Sequence, residues 1–285
     1  MLVIAGFIIV FASVLGGFLM AGGRPSSLIV VSEFIVIGGA ALGAVITMSS
    51  KHVLIGLVKQ CLATLKGNPY SKRSYEELFK ALYELFMLGR RNGMIALEEH
   101  VSNPHSSSIF GKYSSIAKNH HALDFLCSGL RPVIDGKVKP DQLKTLMEIE
   151  VETMENEHHA PISVLIKVAD AMPGFGIVAA VLGIVITMGS IAGPIEEIGH
   201  HVAAALVGTF IGILISYGFL NPLCVTMEAN GTAEITYLRC IAASVVGFAN
   251  GMAPVMAVEV ARRALTSDVK PHADELEAML KGIGK

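Results

Sequence analysis

Few residues of this chain could carry chemistry within its apolar stretches. Asp170 stands three residues after Lys167 at the head of one hydrophobic run, and Glu33 sits near the outer end of another. Glu196, Glu197, His200 and His201 crowd a turn. Proton pathways place a carboxylate or an imidazole inside the membrane, yet the middle of each apolar run here is expected to hold neither. Pro173 and Pro222 each remove a backbone donor and crowd the carbonyl four residues earlier. The freed carbonyls must then be buried or face a wet cavity. Two prolines near corresponding ends of two runs read as a hinge, beside a pathway whose carboxylate another chain supplies.

Other chemistries find less support. The pairs His120-His121, His158-His159 and His200-His201 suggest metal binding. Adjacent helical residues point in different directions, and no clustered Cys or carboxylate frames these pairs as a metal site would need. Neither a metal nor another cofactor is expected. Cys61, Cys127, Cys224 and Cys240 are far apart and form no C-x-x-C, so they support neither a disulfide framework nor zinc. The sequence has no Walker A and no H-E-x-x-H motif, so the chain is not expected to be an enzyme. A net charge of −2 argues against nucleic acid as a partner.

The elements that must position these residues are membrane helices. Charged residues make up 16% of the 285 and hydrophobic ones 52%, with a mean hydropathy of +0.59. Soluble domains carry about a quarter charged residues. Crossing the hydrocarbon takes about 20 apolar residues, and four stretches qualify: 2–22, 28–48, 168–191 and 202–223. Tight turns at 23–27 and 193–197 pair them into two hairpins. No positively charged segment precedes the first span, which is expected to be retained rather than cleaved. Arg24 is the one basic residue in a hairpin turn, while fifteen lie between Lys51 and Lys167 and six follow Leu223. The positive-inside rule then puts the long middle segment, the tail and both termini in the cytoplasm.

A fifth uncharged stretch, Cys240 to Val258, would carry Arg262, Arg263, Lys270, Lys281 and Lys285 outside if it spanned. It is read instead as a buried cytoplasmic helix. The resulting fold class is an all-α polytopic membrane protein with four transmembrane helices and a large helical cytoplasmic region. Its expected divisions are a first hairpin over 1–50, a cytoplasmic helical domain over 51–166, a second hairpin over 167–223 and cytoplasmic helices over 224–285. Within the cytoplasmic part, Ser74-Tyr75-Glu76-Glu77 has the pattern of a capping box opening a helix that runs to about Arg90. Glu76 and Lys80 form an i,i+4 pair on that helix, Gly93 interrupts it, and Pro140-Asp141 opens another.

Small residues four apart let membrane helices approach closely. Ala204, Gly208, Gly212 and Ser216 form such a row in the fourth span; Gly176, Ala180 and Gly183 line the third, and Gly39 and Gly43 the second. Three small-residue faces exceed the need of one four-helix bundle, which points to self-association as well as internal packing.

The stretches PGFGIVAAVLGIV (173–185), VGTFIGILISYGFLNP (207–222) and GRRNGMIALEEHV (89–101) closely resemble the MotA family of flagellar stator subunits, related to ExbB and TolQ. The likeness covers essentially the whole chain. It implies a pentameric ring in the bacterial inner membrane around a dimer of MotB, a single-span protein that supplies the protonatable aspartate and the peptidoglycan anchor. Inward ion flow would then drive torque on the rotor protein FliG. By the same resemblance, Pro173 and Pro222 are the prolines of the ion path. Arg90 and Glu98, with Arg91 and Glu99 adjoining, are the charges that meet the rotor.

Glu150 matches a cytoplasmic acidic position and reads equally as one of five solvated glutamates. Asp170 could pass protons to the cytoplasm, or cap the helix or pair with Lys167. Sodium-type relatives place hydroxyls in both spans three and four. Thr209 supplies one and Ala180 none, so protons are the expected ion. An ExbB/TolQ-type energiser and a self-contained channel are the alternatives. The first hairpin and the 89–101 motif count against the former, and the missing mid-membrane polar site against the latter.

Overall fold

The computed structural model describes residues 2–189 and 191–283; Met1, Ser190, Gly284 and Lys285 lie outside the described residues. The described residues are helical throughout their ordered elements. In chain order these are α1 (Leu2–Met20), α2 (Val31–Met48), α3 (Lys51–Lys66), α4 (Lys72–Asn92), α5 (Glu98–Ser102), α6 (Ser114–Ala117), α7 (His120–Ile134) and α8 (Pro140–Gly189). Then follow α9 (Ile195–Ile213), a π-helical segment Leu214–Leu220, α10 (Asn221–Ala249), α11 (Pro254–Arg263) and α12 (Ala273–Lys281). Among the described residues, four helices are long and apolar enough to cross a membrane.

Two of them continue far beyond their apolar parts. Residues 140–189 form one 50-residue helix that contains both Pro161 and Pro173, and the helix that begins at Ile195 continues to Ala249. Hydropathy marks where a helix leaves hydrocarbon, whereas backbone hydrogen bonding continues wherever good helix formers follow.

The chain falls into two compact units, Met1–Gly67 with Glu157–Asn230, and Asn68–Asn156 with Gly231–Lys285. In the first, α2 packs on the second hairpin through Ile37, Met172, Ala179, Val207 and Ile211. Helix α3 adds Leu57 to a smaller cluster with Ile162, Leu165, Cys224 and Met227. Gln60 of α3 donates to the His158 carbonyl at 3.1 Å.

The second unit holds a larger core. Helix α4 contributes Leu78, Phe79, Leu82, Leu85 and Phe86, all with no exposed surface, at the spacing of one helix face. That helix starts earlier than the Ser74 capping box predicts. Ser71 is the N-cap residue, and Ser74 lies inside the helix with its hydroxyl donating to the Ser71 carbonyl at 2.7 Å. Lys72 and Arg73 are good helix formers and extend the first turn. Glu77 pairs with Arg73 at 3.1 Å, while no ion pair joins Glu76 to Lys80 among the described residues. Cys240 and Val258 are both buried, on two helices separated by a turn in which Gly251 takes φ +82.

On α11, Glu259 accepts from Arg262 at 2.7 and 2.8 Å and from Arg263 at 2.9 Å. The Arg262 bonds, working against burial and joined by those of Arg263, hold its carboxyl down at about 2. The unfolded chain protonates this group near 4.5. The stabilisation is therefore fully present above that pH and is lost as pH falls toward 2. A shift of this size is worth up to about 3 kcal/mol. Glu259→Gln is expected to lower the thermal midpoint by a few degrees at pH 7, with the gap from wild type closing below pH 4.5. Circular dichroism melts at both pH values check this.

Candidate functional site

The third and fourth spans meet backbone to backbone. A Cβ placed on Gly176 would lie 2.8 Å from the Gly208 carbonyl oxygen and 3.3 Å from the Cα atoms of Thr209 and Gly212. One placed on Gly212 would lie 2.6 Å from the Met172 carbonyl oxygen and 3.0 Å from the Gly176 Cα. Further along, Gly183 abuts Ala205. Glycine is required here by proximity alone, since backbone in place of side chains fills the contact. The seam ends at the Met172 carbonyl, the one that immediately precedes Pro173. Pro173 and the close-packed row are therefore parts of one contact.

The sequence-predicted residues fall unevenly around this seam. Gly176, Gly208, Gly212 and Thr209 are brought together, while Ala180 is half-buried one residue beyond Ala179, the alanine that packs on Gly208. Ser216 continues the row fully buried, whereas Ala204 gives way to the buried Ala205. Gly39 and Gly43 of α2 have open space where a Cβ would stand. Asp170 is exposed, and no ion pair joins it to Lys167 among the described residues. Pro222 stands two residues after the π-helical segment and is exposed.

Sequence reasoning missed what Glu33 touches. It was expected near the outer end of the second span, and it stands in the first turn of α2. It is 5% exposed, its Oε2 has no hydrogen-bond partner, and that oxygen lies where a Cβ on Gly208 would be. The carboxyl thus stands beside Gly208, in the first third of the fourth span. The available signal was Ile37 four residues on, which marks the Glu33 face as the one turned inward. Hydropathy averages over that face.

The charged motif lies in the second unit. Arg90 and Arg91 end α4, Gly93 turns the chain with φ +85, and Glu98 and Glu99 open α5. All four charged side chains are exposed. Their mounting is rigid. Leu97 is fully buried against Gly89, where a Cβ would meet its Cδ1 at 2.9 Å. Beneath it the rings of Phe86 and Phe248 stack 4.4 Å apart. Ser107 Oγ accepts from the Ile109 and Phe110 amides at 3.2 Å and lies 2.8 Å from His100 Nδ1, fixing the loop that follows. Arg90 donates to the Gly251 carbonyl at 3.2 Å, so it ties down the α10–α11 turn as well as facing solvent. Glu150 is half-buried, with both oxygens 3.4 Å from Ser128 Oγ. Burial pushes its carboxyl up and the Ser128 bond opposes this, which separates it from the exposed Glu148, Glu152, Glu155 and Glu157.

A four-span helical membrane protein whose last hairpin closes on a glycine seam is the class that fold and site define. Residues 4–93 match the family described as Motility protein A N-terminal, and residues 117–238 match the MotA/TolQ/ExbB proton channel family. Over 283 residues the chain is 36% identical to Motility protein A of Salmonella typhimurium, covering 99% of this chain and 96% of that one. The chain belongs to the motility protein A family. Its fold is that of the C. jejuni MotAB structure, with a TM-score of 0.77, 23% identity and coverage of 93% of this chain and 96% of that one. The flagellar MotAB stator complex from Bacillus subtilis is similar at a TM-score of 0.75 and 23% identity, over 96% and 98% of the two chains.

Proposed function

We propose that this chain is the stator subunit of a bacterial flagellar motor. With a MotB partner it forms an inner-membrane proton channel and converts inward flow into torque on the rotor protein FliG. The observation that carries the reading is the seam of Gly176, Gly208 and Gly212 against the Met172 carbonyl. It joins two spans at backbone contact beside Pro173. Between residues 171 and 189 and between 202 and 223 those spans hold no carboxylate. Beside them this chain brings one buried carboxyl, Glu33 of α2 at Gly208; a pathway that continues along the seam past Gly212 needs another, and a single-span MotB fits that need. A pentameric ring of copies in lipid, with both termini and the 51–166 domain in the cytoplasm, fits the distribution of basic residues.

Protons are the favoured ion. Thr209 is the hydroxyl at the seam, and Ala180 brings none from the third span. The Thr187 hydroxyl is spent on the Gly183 carbonyl of its own helix at 2.8 Å. Arg90, Arg91, Glu98 and Glu99 form the rotor-facing patch, with Glu150 as a supporting position. Exposed pairs are worth about 0–1 kcal/mol each, so several charges share the rotor contact.

Deleting the gene is expected to leave cells with filaments but no swimming. The intact gene should restore motility and Pro173→Leu should not. Restored swimming should persist without external sodium and stop on adding a protonophore. Normal swimming of the deletion strain, in a cell with no second stator set, would overturn the stator reading. Sodium dependence would overturn the choice of ion alone.

A further inference from the structure

In the second unit, one hydroxyl ties the loop after α5 back to that helix. Ser107 and His100 are both buried, and their contact at 2.8 Å joins the loop to the helix that carries Glu98 and Glu99. A serine oxygen offers two lone pairs and one hydrogen. Both lone pairs are taken by the Ile109 and Phe110 amides, each donating at 3.2 Å. The hydrogen is left for His100, so the hydroxyl donates and Nδ1 accepts. A neutral ring that accepts at Nδ1 carries its own hydrogen on Nε2. The contact therefore selects one tautomer of one protonation state.

A second ring proton would land on Nδ1 and face an oxygen with no free lone pair. Either Ser107 drops an amide or the ring leaves the contact, and both uncouple the loop from α5. The two amides belong to Ile109 and Phe110, whose side chains are seated in the core of the second unit. The titratable groups near the ring do not replace the lost bond. Glu98 and Glu99 share its helix, and the Pro104–Ser106 turn brings His105. Helix α7 carries His120, His121, Asp124 and Arg131, and the Met94–Leu97 turn has no titratable side chain. All seven of those side chains are exposed, and among the described residues none forms an ion pair with His100. The far end of the loop is tied separately. Tyr113 donates to Glu84 at 3.0 Å and the Ser115 amide to Glu77 at 2.8 Å.

We infer that His100 is a proton-operated latch on the 103–110 loop, closed while its ring is neutral and released when Nδ1 is protonated. The neutral ring alone fits the folded contact, so the latch holds at high pH and is lost as pH falls. The latch is independent of the proposed function, but its bearing on torque rests on the proposed rotor contact. Release loosens the mounting of Glu98 and Glu99, and the acidity of the surrounding solution then governs how firmly those charges are presented.

The test is hydrogen–deuterium exchange of the full chain, purified with its partner, at about pH 8 and about pH 5, the span over which imidazoles titrate. Rates are corrected for the intrinsic pH dependence of exchange. In the wild type, protection of the Ile109 and Phe110 amides is expected to fall about tenfold at the lower pH, as loss of a hydrogen bond allows. The Ser115 amide is the internal control. Burial pushes the Glu77 carboxyl up, but bonds from Ser115 and Arg73 outweigh it and hold it below 4.5, so this amide should stay protected throughout. His100→Asn places an amide oxygen where Nδ1 stood, an acceptor that does not titrate, and should keep Ile109 and Phe110 protected at both pH values. Ser107→Ala should leave them unprotected at both. Unchanged protection in the wild type would overturn the latch, as would a fall in His100→Asn equal to that of the wild type. Full protection in Ser107→Ala would overturn it too. None of these outcomes depends on the stator reading, which the motility assays test separately.

Discussion

A strain whose chain carries Gly212→Val is expected to assemble flagellar filaments and not swim. The Cβ of any residue at 212 would stand 2.6 Å from the Met172 carbonyl oxygen and 3.0 Å from the Gly176 Cα. Both obstacles are backbone, so no rotamer change relieves the clash. The helices must separate, and forced overpacking of this kind costs about 1–3 kcal/mol or more. Separation moves the Met172–Pro173 peptide, so the loss of function should exceed the loss of protein. Gly39→Val serves as the comparison, because open space surrounds that position. Swimming speed with immunoblot of the membrane fraction checks both variants. A swimming Gly212→Val strain would mean that the close contact is incidental to function.

The second large effect is expected in the other unit. Phe86 has no exposed surface and stacks on Phe248 at a centroid distance of 4.4 Å, with the rings 10° from parallel. Truncating a buried Phe to Ala costs about 3–5 kcal/mol, a large part of a typical domain's 5–15 kcal/mol. Phe86→Ala is therefore expected to reduce the protein level sharply and abolish motility with it. Arg91→Ala, on the exposed end of the same helix, should keep the protein at its normal level and reduce swimming only partially. Motility assays paired with protein quantification separate the two. Normal abundance of Phe86→Ala would show that the α4 core contributes little to folding.

Much of this architecture was legible in the sequence because it depends on local composition. Apolar length marked the four spans, the 23–27 stretch and Gly93 marked turns, and four-residue spacing of small side chains marked the rows to which Gly176, Gly208 and Gly212 belong. The rest depends on what meets what. The 50-residue helix α8 was read as separate pieces because its hydropathy changes while its backbone pattern does not. Ser74 carried a capping signature but was outcompeted by an earlier turn built from Ser71, Lys72 and Arg73. Glu33 looked peripheral because its position along the chain says nothing of the Gly208 groove that receives it. Glu150 resembled its neighbours in charge and differs from them in facing Ser128.

The π-helical segment from Leu214 to Leu220 has a consequence for the chain's angular bookkeeping. Its turns are wider than those of an α-helix, as an inserted residue produces: the Asn221 backbone N–H donates to the Ser216 carbonyl five positions back, and the Asn221 side-chain amide donates to the Ser216 hydroxyl at 3.4 Å. The widening gives room just before Pro222, whose ring would otherwise crowd the Gly218 carbonyl. It also keeps the helix in phase. Gly208 and Gly212 before it pack on α8, and Cys224 and Met227 after it pack on α8 again, beside Leu57 of α3. A π-turn is an α-turn that carries one extra residue, so it takes up that residue without turning the downstream face away. In this stretch the type of helix, more than the identity of any one residue, holds the two ends in register.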